Sequence, residues 1–161
     1  MNERLTADVK PDEPRLGEIG LQQFAPYLMN RIMGRYNASL RADLAKLGLT
    51  TPKMRSLAVL SVVGGIQIST LAVYAVVEQS TLSRALDALE TDGLVRRAPD
   101  PEDSRATRVW ITEEGRAAFE TLWPTMRGNY ERMFAGISDE EHAAFVATLQ
   151  KMLANIRKHQ F

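Results

Sequence analysis

The chain contains no cysteine, which excludes disulfides, thiolate metal sites and any sensing of oxidants through a thiol. Histidine is almost as scarce: His142 and His159 are the two present, and neither stands at metal-ligand spacing from a carboxylate. A Ser-His-Asp arrangement therefore has no candidate base in context, and neither a Gly-rich phosphate loop nor a nucleophile elbow occurs. The carboxylate runs Glu113-Glu114 and Asp139-Glu140-Glu141 open helix candidates, where the helix dipole accounts for them without catalysis. No enzyme, no cofactor and no metal centre is expected. Excess charge is missing too. Lys plus Arg and Asp plus Glu are both 20 in 161 residues, so bulk attraction to nucleic acid is absent and any basic surface must be local.

Long apolar runs are also wanting, with one imitation. Between Arg55 and Glu78 lie 22 uncharged residues, long enough to cross a bilayer as one helix. Gly64-Gly65 breaks this run and Ser56, Ser61, Gln67, Ser69 and Thr70 interrupt it, so it reads as two core-facing helices and not as a membrane span. Residues Met1 to Glu13 are polar and charged, with Pro11 and, just beyond, Pro14, unlike a signal peptide or an anchor. Residues 1–15 are expected to be mobile and the protein cytoplasmic.

What remains is mostly helix signal. Leu21, Phe24, Leu28, Ile32, Tyr36, Leu40, Leu44 and Leu47 recur three or four apart, predicting one long amphipathic helix stopped by Gly48, with Pro26 kinking it or marking its first turn. Another helix is expected from Pro52 to Val63. Thr112 can cap a further one, with Glu113 and Glu114 in its first turn and Phe119, Leu122, Trp123, Met126, Tyr130 and Met133 on one face, bent at Pro124. Ser138-Asp139-Glu140-Glu141 reads as a capping box before a last helix carrying Phe145, Val146, Leu149, Met152, Leu153 and Ile156. Both histidines are read as surface groups.

The centre of the chain changes character. Ser69 to Ala75 predicts a short helix capped by the Ser69 hydroxyl, and Ser80 to Asp92 predicts a second whose Leu82, Ala85, Leu86 and Leu89 form one apolar face. With that face buried, Gln79, Ser80, Thr81, Ser83 and Arg84 project from the N-terminal end. Such a helix brings its positive dipole end to phosphates and its short polar groups to base edges, and Arg84 can donate two bonds to a guanine. Gly93 then ends the helix, Leu94 to Ala98 and Thr107 to Ile111 alternate as two strands of a hairpin, and Pro99 to Ser104 form its turn. Arg105, with Arg96, Arg97 and Arg108 nearby, makes the hairpin basic and suited to the minor groove or to phosphates. Asp100 and Asp103 are expected to hold Arg105 in position.

This succession, Gln-Ser-Thr-Leu-Ser-Arg-Ala-Leu-Asp-Ala-Leu-Glu-Thr-Asp-Gly-Leu-Val, then Asp-Pro-Glu-Asp-Ser-Arg, then Val-Trp-Ile-Thr-Glu-Glu-Gly, resembles the MarR family of bacterial transcriptional regulators. The resemblance covers Thr50 to Gly115 motif by motif. It implies a mainly α fold with a small β-hairpin wing, in which a winged helix-turn-helix lobe is joined to N- and C-terminal helices that form a dimerisation base. It further implies a homodimer binding a pseudo-palindromic double-stranded operator, commonly as a repressor that a small aromatic or anionic molecule releases. Carried over by position, DNA contacts fall on Gln79, Ser80, Thr81, Ser83, Arg84 and the wing Arg105, with Asp103 as its partner; Ser69 and Arg97 join them as candidates from the local reading. Two positions depart from the family pattern. Val76 stands where glycine is common, so the turn either takes another geometry or stores strain, and Glu78 stands where a serine cap is common.

The expected organisation is a mobile segment 1–15, an N-terminal dimerisation helix 16–48, a DNA-binding lobe 49–112 and C-terminal dimerisation helices 113–161. The alternative, of another class, is a winged-helix module that binds protein and not DNA. An effector pocket is expected where the long first helix, the helix from Pro52 to Val63 and the helix after the wing converge, with Met33, Tyr36 and Met54 as lining candidates; plain core is the other reading of those three.

Overall fold

In the computed structural model, residues 14–156 are described. Most of the expected mobile segment and His159 therefore lie outside the described residues. By their internal contacts the residues form two compact units, which divide between Ala38 and Ser39.

The described part of the first unit has a single helical turn, α1 (Leu16–Ile19), and a 3-10 turn (Leu21–Gln23) before the long helix α2 (Ala25–Lys46) begins. The expected helix thus starts four residues later than Leu21, and Pro26 sits in its first turn, where a missing N–H costs nothing. Leu28, Ile32 and Met33 on α2 are exposed.

The second unit contains the end of α2, then α3 (Thr51–Val62), β1 (Ile66–Gln67), α4 (Ile68–Ala75), α5 (Gln79–Thr91), β2 (Val95–Pro99), β3 (Thr107–Ile111), α6 (Glu113–Met133) and α7 (Asp139–Ile156). Its core is a leucine cluster: Leu40 and Leu44 of α2, Leu57 and Leu60 of α3, Leu71 of α4, Leu82, Leu86 and Leu89 of α5, Val109 of β3 and Leu122 of α6 are all buried. Apolar burial on this scale, about 1.5–3 kcal/mol per side chain, is what holds short helices that would not persist alone. The uncharged run imagined as a span is divided among α3, β1 and α4, and no helix of the described residues is long and apolar enough to cross a membrane.

The sheet differs from the expected hairpin. It has three strands in the order β1-β3-β2, with β1 antiparallel to β3 through Ile66↔Val109 and Gln67↔Arg108. Strands β2 and β3 pair from Val95↔Ile111 to Pro99↔Thr107. A strand of two residues is too short to show a period of two, which is why Ile66 and Gln67 carry no strand signal in the sequence.

Helix ends explain much of the chain path. Thr112 caps α6, its hydroxyl accepting from Gly115 N at 3.1 Å and donating to the Gly93 carbonyl at 2.6 Å. Ser138 and Glu141 exchange backbone bonds as a capping box at the start of α7. Ser69 is no cap: α4 begins at Ile68, Gln67 occupies the cap position, and Ser69 lies exposed inside the first turn. His142 is not a plain surface group either. Half-buried, it meets the Tyr130 hydroxyl through Nε2 at 2.5 Å and packs edge-on to Phe134.

Three helices stop in the same way. After α2, Leu49 N donates to Leu44 O and Gly48 N to Ala45 O; after α5, Leu94 N donates to Leu89 O and Gly93 N to Glu90 O; after α4, Val77 N donates to Ala72 O and Val76 N to Val73 O. This double bond pattern needs a left-handed residue at its bend. Glycine supplies it at Gly48 (φ 63°) and Gly93 (φ 72°), but at the helix-turn-helix corner Val76 does, at φ 51° and ψ 51°. The corner keeps its geometry and stores strain.

Two expectations follow. Val76→Gly removes a left-handed penalty of about 1–2 kcal/mol and adds about 0.5–1 kcal/mol of unfolded-state entropy, so it should stabilise by about 1 kcal/mol and raise the melting temperature by about 2–4 °C. Gly115→Ala should do the opposite. An added Cβ would lie 2.0 Å from the Leu94 carbonyl oxygen, a backbone atom that cannot swing aside, and a loss of about 3 kcal/mol or more is expected in urea unfolding.

Candidate nucleic-acid interface

The helix-turn-helix presents α5 as the sequence pattern requires. Leu82, Ala85, Leu86 and Leu89 are buried, and the same periodicity leaves Gln79, Ser80, Thr81, Ser83 and Arg84 exposed at the N-terminal end. No side chain caps this end: Glu78 occupies the cap position, and its carboxylate accepts from the Ser80 hydroxyl at 2.6 Å instead of from a backbone N–H. The first-turn N–H groups of α5 thus keep their capacity for an outside acceptor such as a phosphate. Arg84 has no ion pair among the described residues. The corner that aims this helix is held from α3, where Arg55 Nη1 donates to the Val76 carbonyl at 3.1 Å.

The four wing arginines are not equivalent. Arg96 lies over the Trp110 ring, 4.2 Å from its centroid, as expected of directly paired positions on one sheet face. Arg97 is engaged with α5: its Nε and Nη2 donate to Glu90 at 2.9 and 2.5 Å, its backbone N–H donates to Glu90 at 3.0 Å, and Nη1 meets Asp87 at 2.9 Å. The Arg97 hydrogen bonds hold the Glu90 carboxyl below its ordinary value and the guanidinium above its own. Arg97, a DNA-contact candidate from the sequence, is thus half-buried and paired with two carboxylates of α5. Arg108 donates to Asp100 at 2.8 Å and to the Gly65 carbonyl at 2.8 Å. Arg105 alone among them is exposed with no side-chain partner among the described residues.

The two wing aspartates also have different work from that expected. Asp100 has a fully buried side chain and forms no ion pair with Arg105; it accepts from Gln67 Nε2 at 2.9 Å, from Glu102 N at 2.9 Å and from Arg108 Nε at 2.8 Å. The Gln67 bond leads the causes that pull its pKa down to about 2, followed by the Glu102 N–H and then Arg108. Asp103 accepts from the backbone N–H of Arg105 at 3.0 Å, an Asx-type turn that shapes the chain carrying the guanidinium without pairing with it. Gln67 and Arg55 bear no motif, and only their partners distant in sequence reveal them.

Of the pocket candidates, Met54 is buried in the core of the second unit, while in the first unit Met33 is exposed and Tyr36 half-buried, its phenol pushed up by burial. No group of three metal-ligating side chains occurs among the described residues.

With this geometry in place, comparison with known proteins is decisive. Residues 49–107 match the MarR family model. The chain is 33% identical over 141 residues to the HTH-type transcriptional repressor IacR of Pseudomonas putida, covering 88% of this chain and 82% of that protein. The chain belongs to the MarR family. A crystal structure of a MarR-family transcriptional regulator from Silicibacter pomeroyi is 59% identical and superposes with a TM-score of 0.88, covering 92% of this chain and all of the other. BpsR of Bordetella bronchiseptica, whose DNA binding is regulated by 6-hydroxynicotinic acid, is 25% identical with a TM-score of 0.68, covering 80% of this chain and 97% of that one. This chain is therefore a winged helix-turn-helix transcriptional regulator of MarR type and not an enzyme.

The buried Asp100 gives a pH test. Its pKa is lower folded than the ordinary 3.8, so its contribution to stability is complete above about pH 5 and is lost as pH falls toward about 2. Thermal melting of the protein and Asp100→Asn should differ by a constant amount above pH 5, and the gap should narrow below pH 4.

Proposed function

We propose that this MarR-type regulator is a cytoplasmic homodimer that represses transcription from a pseudo-palindromic operator and leaves it when a small aromatic acid binds. Each protomer sets Gln79, Ser80, Thr81, Ser83 and Arg84 of α5 into a major groove and reaches the adjacent minor groove with Arg105. The observation that carries this reading is the division of the arginines. Arg84 and Arg105 stand exposed on two adjoining projections and without ion pairs among the described residues, whereas Arg97 and Arg108 are paired internally.

Zero net charge fits a protein that gains affinity from a few placed cations in two copies and not from bulk attraction. Dimerisation is supported by large apolar side chains left exposed on the helices that end the chain: Trp123, Tyr130 and Met133 of α6 and Phe145, Val146 and Leu153 of α7. Ser69, exposed in the first turn of α4, is a further candidate for a phosphate contact. The effector class is supported by BpsR, a related regulator answering to a hydroxylated aromatic acid.

The test is fluorescence anisotropy with duplexes from around the protein's own gene at several salt concentrations. The protein should bind one of them saturably, as a dimer spanning half-sites about 34 Å apart. Arg84→Ala should cost about 1–3 kcal/mol per half-site and relax the base preference at one position. Arg105→Ala should weaken binding and reduce the salt slope by about one per protomer if it meets a phosphate. Equal, weak binding to every duplex would refute sequence-specific operator recognition. A set of aromatic carboxylates added to the complex should contain one that releases DNA and raises the melting temperature; release by none of them removes the effector part alone.

A further inference from the structure

The recognition helix and the wing each carry a DNA contact in the reading above, and two contacts on separate projections help only when their spacing is fixed before binding. Among the described residues, a cluster around Arg97 spans that gap. Asp87 and Glu90, one helical turn apart on α5, both face Arg97 on β2. Glu90 takes three hydrogen bonds from that one residue, two from the guanidinium and one from the backbone N–H, so the carboxylate is tied to the strand's side chain and main chain together. The fork of Arg97 is thereby filled on two edges by carboxylates and does not face outward.

We infer that Glu90 and Arg97 are positioning residues for operator binding: they lock the C-terminal half of α5 to the wing strand and so set the distance between the base-reading end of the helix and Arg105. This rests on the DNA-binding mode proposed above. It also opposes the simplest view of Arg97, a basic wing residue that meets a phosphate. In the positioning role the acidic partner is as necessary as the basic one. In a phosphate-contact role Glu90 competes with DNA for the guanidinium, and its removal would strengthen binding.

The experiment is a double-mutant cycle of Glu90→Gln, Arg97→Gln and the double variant, in the full chain, with two readouts. Without DNA, hydrogen exchange of the Arg97 amide and of the last turns of α5 should quicken by a similar factor in all three variants, with the melting transition still cooperative. With the operator, each single variant should lose about tenfold in affinity and the double variant no more than either, with the salt slope unchanged. The inference is overturned if Glu90→Gln binds as tightly as the parent or tighter while Arg97→Gln weakens with a shallower salt slope. Unchanged exchange in the single variants overturns it as well. Because exchange is read without DNA, failure of the lock is distinguishable from failure of the DNA-binding mode, which would show as loss of operator binding in the parent protein.

Discussion

The carboxylate of Asp100 is the contact on which the wing depends. Buried side chains with a charge are costly unless paired and hydrogen-bonded, and here Gln67, the Glu102 N–H and Arg108 engage the carboxylate from three directions. Each donor belongs to a different part of the lobe: Gln67 to the strand leading into the helix-turn-helix, Glu102 to the wing turn, Arg108 to the returning strand. Arg108 extends the link to the Gly65 carbonyl, behind which Trp110 packs so closely that a Cβ on Gly65 would lie 2.5 Å from its indole nitrogen. Taken together, these bonds turn a hairpin that would be marginal alone into a rigid projection. Arg105 can stand at its tip without an ion pair among the described residues because the turn beneath it is held by other groups.

The same division runs through the helix pair. The apolar face of α5 fixes which residues look outward, and the corner before it fixes where they point. Valine in a left-handed bend is an unfavourable choice, sustained because the bend is over-determined by two backbone bonds and by Arg55 on its carbonyl. Arg97 closes the other end against Glu90 and Asp87. Charges that a basic-patch view would assign to DNA thus serve the protein's own geometry, which is consistent with a chain of zero net charge presenting few free cations at the site.

Much of this was legible in the amino-acid order. Leu82, Ala85, Leu86 and Leu89 announce which side of α5 is buried, Thr112 and Ser138 announce helix starts, and Gly93 announces a stop, because each signal is local and repeats a known geometry. The misreadings concern pairing across distance. Ser69 looks like a cap until β1 is seen to run directly into α4. Asp100 looks like a partner for Arg105, five residues away, until Gln67, 33 residues back, is seen against it. Arg97 looks free until Glu90 is found beside it. Sequence spacing reports helix faces and turns well, but salt bridges between a helix and a strand depend on packing that no short window contains.

The central claim is that helix and wing read two grooves from one fixed frame. Its most direct test is chemical footprinting of the operator complex, with hydroxyl radicals probing the minor groove and guanine N7 methylation the major groove, beside Arg105→Ala. The account predicts protection in both grooves of each half-site for the parent protein, with minor-groove protection lost and N7 protection kept in the variant. An unchanged minor-groove footprint in Arg105→Ala, or none in the parent, would contradict it.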